Sequence, residues 1–428
     1  MLNRLNKKIP VSQKFKTDSI LNILSFILIG INGLVLNTII AKTYDSETLG
    51  LFSIGYALFI LLAHFIGAGV HFSILKNTAQ NSKDTKKAEL ILQSGLLATL
   101  LNSLLIAPII LLARNIFAPL FDNSSDVNIL FLIAPGLIFF ALNKSLLAFH
   151  NAHRHMKVFA VFNALRSILL LTFFLILYSF SISGKNIIVI FSIEEFILFA
   201  ILAIYSRKHL SITFTKKTLD WMRKHLKHGY KSIMGSIFID ANTRIGVMVL
   251  GLFETDSVVG VFSFAYVFVD GFRQVANVFR TNVNPLLTQI NYNKEKEELQ
   301  KFIIKGRNYT YAFLIPLGIL VMIGYPIILY ILGLNQEYDG SILPLTILIS
   351  SSIISIGYAP FLMIFNQTGS AGIQSVLYVS IFATNMVMNL ILVPPLGMTG
   401  SAIATGISFI SIAILVKILT LRTLKIKI

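Results

Sequence analysis

Apolar residues run along this chain in blocks of about 20, separated by short polar breaks. The pattern predicts helices over 17–41, 49–75, 88–113, 127–150, 157–180, 186–205, 230–253, 257–284, 305–333, 341–365, 372–393 and 398–421. Each block is long enough to cross ~30 Å of hydrocarbon as a helix. The alternating pattern of a membrane barrel is absent. The expected fold is an all-α polytopic membrane protein with about twelve spans.

One block departs from the rest. "FVDGFRQVANVFRTNVN" (268–284) places one aspartate and two arginines inside apolar sequence. On a helix, Ser263, Tyr266, Asp270, Arg273, Asn277, Arg280 and Asn284 step by three and four and form one polar stripe, while Val267, Val269, Phe272, Val275 and Phe279 occupy other faces. A charge at the centre of a bilayer costs roughly 2.5–3.5 kcal/mol on insertion scales. Three such charges on one helix must therefore face protein or water.

Composition agrees with the pattern. The chain of 428 residues is 55% hydrophobic and 13% charged, against roughly a quarter charged in soluble domains. The first 17 residues are polar and basic, which argues against a cleavable leader. There is no cysteine, hence no disulfide framework and no thiol chemistry.

The net charge of +17 is a matter of placement. With twelve spans and Arg4, Lys7, Lys8, Lys14 and Lys16 on the cytoplasmic side, 29 of the 36 Lys and Arg fall on that side. Lys144 is counted there, in the inner segment 144–157. The outer loops hold only Lys42, Arg114 and Lys185; Arg166, Arg244, Arg273 and Arg280 lie inside helices. This is the asymmetry of the positive-inside rule, with both termini cytoplasmic. It also attracts anionic headgroups and removes any need for nucleic acid as a partner. The outer loops are too short for an external catalytic domain, so an enzyme is not expected.

The longest inner segment, 206–231, falls at mid-chain and carries Trp221 among lysines, as on an amphipathic helix at the interface. It divides the chain into a six-helix bundle at 1–205, a basic cytoplasmic linker at 206–231 and a second bundle at 232–428. "GLFSIGYALF" (50–59) aligns with "GVFSFAYVFV" (260–269) at an offset of 210, pairing Gly50 with Gly260 and Tyr56 with Tyr266. Both segments follow a short acidic loop. Six spans per half make this a parallel duplication, which in transporters places a path between two bundles related by a pseudo-two-fold.

At these residues the sequence resembles the polysaccharide and O-antigen flippase branch of the multidrug/oligosaccharidyl-lipid/polysaccharide exporter superfamily. The resemblance rests on "IIAKTYDSETLGLFSIGYALF" (39–59), "IFIDANTRIGVMVLGLFETDSVVGVFSFAYVF" (237–268) and "LVPPLGMTGSAIATGISFIS" (392–411). Many relatives carry an adjacent Asp-Arg pair in the seventh helix; here Asp240 and Arg244 are four apart. The resemblance implies two six-helix bundles in an inverted V. It also implies a polyprenyl-pyrophosphate-linked oligosaccharide as substrate, moved across the bacterial inner membrane.

Arg244, Arg273 and Arg280, with Asn277, Asn284 and Asn32, are the candidate substrate-binding residues, because a guanidinium meets two phosphate oxygens at once. Asp240, Asp270, Arg166, Glu194, Glu195, His64 and His71 are candidates for coupling or charge pairing. Asp270 and Arg273 either pair with each other or meet Asp240 and Arg244 from the preceding helix. His64 and His71, seven apart, share one face of the second helix. Arg166 is expected to pair with one of the adjacent glutamates, leaving the other toward a cavity. Asn385 and Asn389 form an i,i+4 pair suited to interhelical hydrogen bonds.

No nucleotide loop or metal spacing stands out. No cofactor is expected, and a proton or sodium gradient is the candidate energy source. The partners implied are the lipid-linked glycan, membrane lipids and other glycan-assembly membrane proteins, with the chain itself a monomer. The leading reading is a flippase working by alternating access through a cationic central cavity. A cation-coupled multidrug exporter is the alternative, which would favour an acidic cavity. A membrane glycan polymerase or ligase stands third, for want of a large outer loop.

Overall fold

The computed structural model describes residues 13–210, 214–289 and 296–428, and among them there is no strand. Arg4, Lys7 and Lys8 lie outside the described residues, as do the side chains of Lys14, Lys16 and Asn284. The long helices are α1 (Gln13–Thr43), α2 (Ser46–Gly67), α3 (Val70–Gln80), α4 (Thr85–Leu112), α5 (Ile129–Ala152) and α6 (Met156–Ser179). They continue with α7 (Ile190–Ser206), α8 (Lys216–Phe253), α9 (Asp256–Gln289), α10 (Lys296–Leu332), α11 (Ile342–Ile356) and α12 (Ala371–Thr423).

Ten of the described helical segments are long and apolar enough to cross a membrane, and eleven when α8, bent by 51° between Ile233 and Ile237, counts as one span. Their outer faces are what lipid requires: Leu112 is 81% exposed and Ile331 73% exposed, which water would penalise. The chain is a multi-pass helical membrane protein.

The last helix holds both of the final predicted spans. Pro394 and Pro395 precede Gly397, whose φ of 53° and ψ of −135° are not helical. A Cβ on Gly400 would overlap the carbonyl oxygen of Leu392. Ser401 Oγ donates to Asn389 Oδ1 at 2.9 Å, and Ser408 Oγ to the Ile381 carbonyl at 3.3 Å. Contacts that widen in sequence separation on either side of 397 mean that the chain doubles back. The two arms of α12 therefore form an antiparallel hairpin.

Two predicted helices are not continuous. The one expected over 49–75 ends at Gly67, and α3 begins after Ala68 (φ 46°) and Gly69 (φ 62°), both left-handed. The one expected over 341–365 ends at Ile356 and continues as short turns through Gln367. Within 206–231, α8 is packed against α3 and α4 through His225, which is fully buried. Its Nδ1 lies 2.8 Å from Ser73 Oγ and its Nε2 3.1 Å from the Ile91 carbonyl. Trp221 carries Lys224 Nζ 4.0 Å above its ring.

The repeated segments cross each other. A Cβ on Gly50 of α2 would overlap the carbonyl oxygen of Asp256, and a Cβ on Gly260 of α9 would overlap that of Ser46. Only glycine allows backbone to lie on backbone in this way. The contact is reciprocal at the repeat offset, since Ser46 and Asp256 are as far apart in sequence as Gly50 and Gly260. Ser46 Oγ and Ser257 Oγ, 2.6 Å apart, and Glu337 Oε1, accepting from the Ser46 amide at 2.8 Å, close this end of the molecule.

Candidate functional site

Below that crossing a cavity of about 560 Å³ opens between α1, α2, α8, α9 and the arms of α12. The helical stripe of α9 lines it from Ser263 and Tyr266 through Asp270, Arg273 and Asn277 to Arg280. This is the outcome that helical spacing demands: side chains on one face share one wall. Asp240 and Arg244 of α8 and Asn32 of α1 line the same space.

The charges sort themselves across helices. Arg244 Nη2 lies 3.7 Å from Asp270 Oδ2, a long contact, and its guanidinium sits 4.7 Å above the ring of Tyr56. Asp240 Oδ2 lies 2.9 Å from Nε2 of His64, which is buried on α2. Of the two pairings open for Asp270, the one with Arg244 of the preceding helix is found and the one with Arg273 is not. Arg273 instead stacks 3.7 Å over Phe409 and donates to Ser352 Oγ at 3.4 Å. Among the described residues, neither Arg273 nor Arg280 has a carboxylate within 4.0 Å. The lining thus offers three arginines against two aspartates. It keeps a positive balance even with both acids ionised.

The polar neighbours are mostly engaged. Asn32 Nδ2 donates to Ser167 Oγ at 3.1 Å. Asn277 Nδ2 donates to Gln274 Oε1 at 2.8 Å. Asn385 Nδ2 donates to Asn242 Oδ1 at 3.1 Å, and Asn389 Nδ2 to Asn385 Oδ1 at 2.8 Å, so this pair ties the first arm of α12 to α8. Among the described residues neither His64 nor His71 lines the cavity; His64 touches it only through Asp240. His71 follows the left-handed break at Ala68–Gly69, and its ring lies 4.0 Å from that of Phe72.

A second charged cluster lies in the N-terminal half. Arg166 Nε sits 2.8 Å from Glu195 Oε1 and 3.6 Å from Glu194 Oε1, so it engages both glutamates rather than one. Asn143 Nδ2 donates to Glu195 Oε2 at 2.8 Å. Both glutamates are buried, and neither lines the central cavity. Lys144, counted as a cytoplasmic cation in the sequence, belongs to this cluster. Its Nζ lies 4.5 Å above the ring of Phe140, the ring that Arg166 covers from 4.9 Å, and it feels the charges of Asp240, Arg166 and Glu195. Its position within an apolar run, one turn after Phe140, was the available signal. The aromatic wall of Tyr56 and Phe191, stacked at 5.4 Å, was not singled out either; the repeat marked Tyr56 and left its ring unassigned.

Comparison with known proteins agrees with this architecture. The whole fold is similar to the lipid II flippase MurJ in an inward closed conformation, with a TM-score of 0.77 at 16% identity over 96% of this chain and 88% of that one. It is similar to an inward-facing multidrug resistance MATE transporter of the MOP superfamily, with a TM-score of 0.68 at 15% identity over 95% and 94%. The Vibrio cholerae MATE transporter VcmN matches with a TM-score of 0.64 at 13% identity over 96% and 99%. No curated protein matches by sequence. The family model described as polysaccharide biosynthesis protein matches residues 15–291, well over half of the chain. With its helices, its cavity and that match in agreement, the chain belongs to the polysaccharide biosynthesis protein family.

Proposed function

We propose that this protein is a flippase that carries a polyprenyl-pyrophosphate-linked oligosaccharide, of O-antigen or capsule type, across the bacterial inner membrane. The observation that carries the reading is the pair Arg273 and Arg280, which face one cavity without a carboxylate partner among the described residues. Holding an uncompensated guanidinium inside a membrane protein is costly, and a diphosphate is the ligand that offsets that cost with bidentate hydrogen bonds. An acidic cavity for cationic drugs would carry the opposite balance.

In this reading the two halves are six-helix bundles, with residues 206–231 joining them and both termini in the cytoplasm. The reciprocal contact of Gly50 and Gly260 supports a pseudo-two-fold between them. The headgroup enters from the cytoplasmic side, the lipid tail stays in the bilayer, and tilting of the halves exposes the cavity outward. The bond between His64 of the first half and Asp240 of the second spans the cavity wall. It is positioned to make or break as the halves move, driven by a proton or sodium gradient. The protein acts as a monomer beside other glycan-assembly membrane proteins.

The test is transport. Arg273→Ala and Arg280→Ala should each lower export of the surface glycan by roughly 10- to 100-fold, the worth of one hydrogen-bonded charge, while membrane insertion is unchanged. Accumulation of unflipped, rather than unpolymerised, lipid-linked repeat units separates this reading from a glycan polymerase or ligase. Normal export in both variants overturns the reading.

A further inference from the structure

A second hollow, of about 380 Å³, lies between α10, α11 and the second arm of α12. It shares no lining residue with the central cavity. Its floor is Tyr358, a ring only 3% exposed. Two cations stand over that ring, the guanidinium of Arg307 at 5.8 Å and Lys417 Nζ at 5.3 Å. Arg307 Nη1 donates to the Tyr358 hydroxyl at 3.1 Å, and its Nε and Nη2 both reach Asn308 Oδ1 at 3.3 Å. Among the described residues no acid lines the hollow. Among the described residues neither cation has a carboxylate within 4.0 Å.

The other wall is apolar and open. Ile354 is 53% exposed and Ile414 51%, and together with Ile410 they make a slot running along the helices away from the cations. Two like charges over one ring repel each other, and the ring's quadrupole offsets only part of that. An anion between them would be held from two sides. A slot of branched aliphatic side chains below it suits a hydrocarbon chain and not a free ion. Gln300 Nε2 donates to the Lys427 carbonyl at 2.7 Å, which brings the basic C-terminal end beside the start of α10, where Lys301 and Lys305 also stand. Glu297 and Glu298 stand there too, and Lys301 Nζ lies 3.9 Å from Glu297 Oε2. The excess of positive charge at this corner therefore comes from Lys305 and the C-terminal residues.

We propose that this hollow is a binding site for an anionic phospholipid, with its headgroup phosphate on Arg307 and Lys417 and one acyl chain along Ile354, Ile410 and Ile414. A zwitterionic lipid fits less well, because its own ammonium group would stand among host cations with no acid to receive it. The site would fasten α10, α11 and the end of α12 to one another at the end of the molecule where the basic residues gather.

The full chain, purified in detergent, is titrated with phosphatidylglycerol, phosphatidylcholine or inorganic phosphate, and thermal unfolding and lipid retention by native mass spectrometry are read. Phosphatidylglycerol should raise the unfolding midpoint and stay bound; the other two should do neither. The variant Arg307→Gln/Lys417→Gln should need roughly thirtyfold more phosphatidylglycerol for half its effect, from the attraction of two basic residues. Ile414→Trp fills the slot, keeps both cations and should lose retention as well. If the double variant fails to fold, Ile414→Trp decides alone. Retention unchanged in these variants, equal protection by phosphatidylcholine, or full protection by inorganic phosphate overturns the assignment.

Discussion

Arg166 on α6 and Arg273 on α9 are both arginines within membrane helices, and their surroundings differ in kind. Arg166 lies against two buried carboxylates at 2.8 and 3.6 Å, with Asn143 bonded to the nearer one. Arg273 lies against a phenyl ring and a serine, on the wall of a cavity. The first arrangement closes its own electrostatics: removing a partner leaves charge stranded in low dielectric. The second leaves its charge available, because water or a ligand in the cavity must complete the coordination. Burial of an arginine therefore says little about its role until its carboxylates are located.

Three substitutions separate the two regimes. Arg166→Leu strands Glu194 and Glu195 together, and the expected loss is about 3–5 kcal/mol of stability, read from unfolding in detergent. A midpoint unchanged from wild type would mean that the N-terminal cluster is not closed as described. Arg273→Ala should change stability by about 1 kcal/mol or less, since it removes a cation–π contact and a desolvated charge together; the effect on glycan export should be far larger than the effect on unfolding. Comparable losses in both readouts would erase the distinction between the two arginines. Smallest of all, Asp270→Asn removes a contact of 3.7 Å from a side chain that is 38% exposed. Roughly 0.2–1 kcal/mol is expected there, and a loss as large as that for Arg166→Leu would place Arg244 with the closed cluster.

Much of the architecture could be read from the chain. Apolar blocks of membrane-spanning length located the spans, and steps of three and four on 263–280 placed six polar residues on one wall, because both follow from helical geometry alone. The breaks could not be read so easily. Ala68 is an ordinary helix former, yet it adopts a left-handed conformation beside Gly69 because the backbone of Gly229 passes at that point; a contact 160 residues away in sequence leaves no local trace. That break also puts His64 and His71 on two helices, where straight-helix spacing had put them on one. For Asp270 two pairings were open, and local spacing could not choose between them. Spacing puts Asp270 within reach of Arg273 on the same helix, but Arg244 approaches from α8 and takes the carboxylate. Lys144 shows a bookkeeping weakness of loop counting: a lysine near the end of an apolar run can reach inward over a ring and join the buried charges.

The crossing of Gly50 and Gly260 has a mechanical corollary. Most helix pairs mesh like cogs, and sliding one past the other means lifting each tooth out of its notch. At Gly50 and Gly260 themselves there are no teeth, only two smooth backbones in touch. That point has no notch to return to, so the angle between α2 and α9 is set by the side chains that flank it, the touching hydroxyls of Ser46 and Ser257 among them.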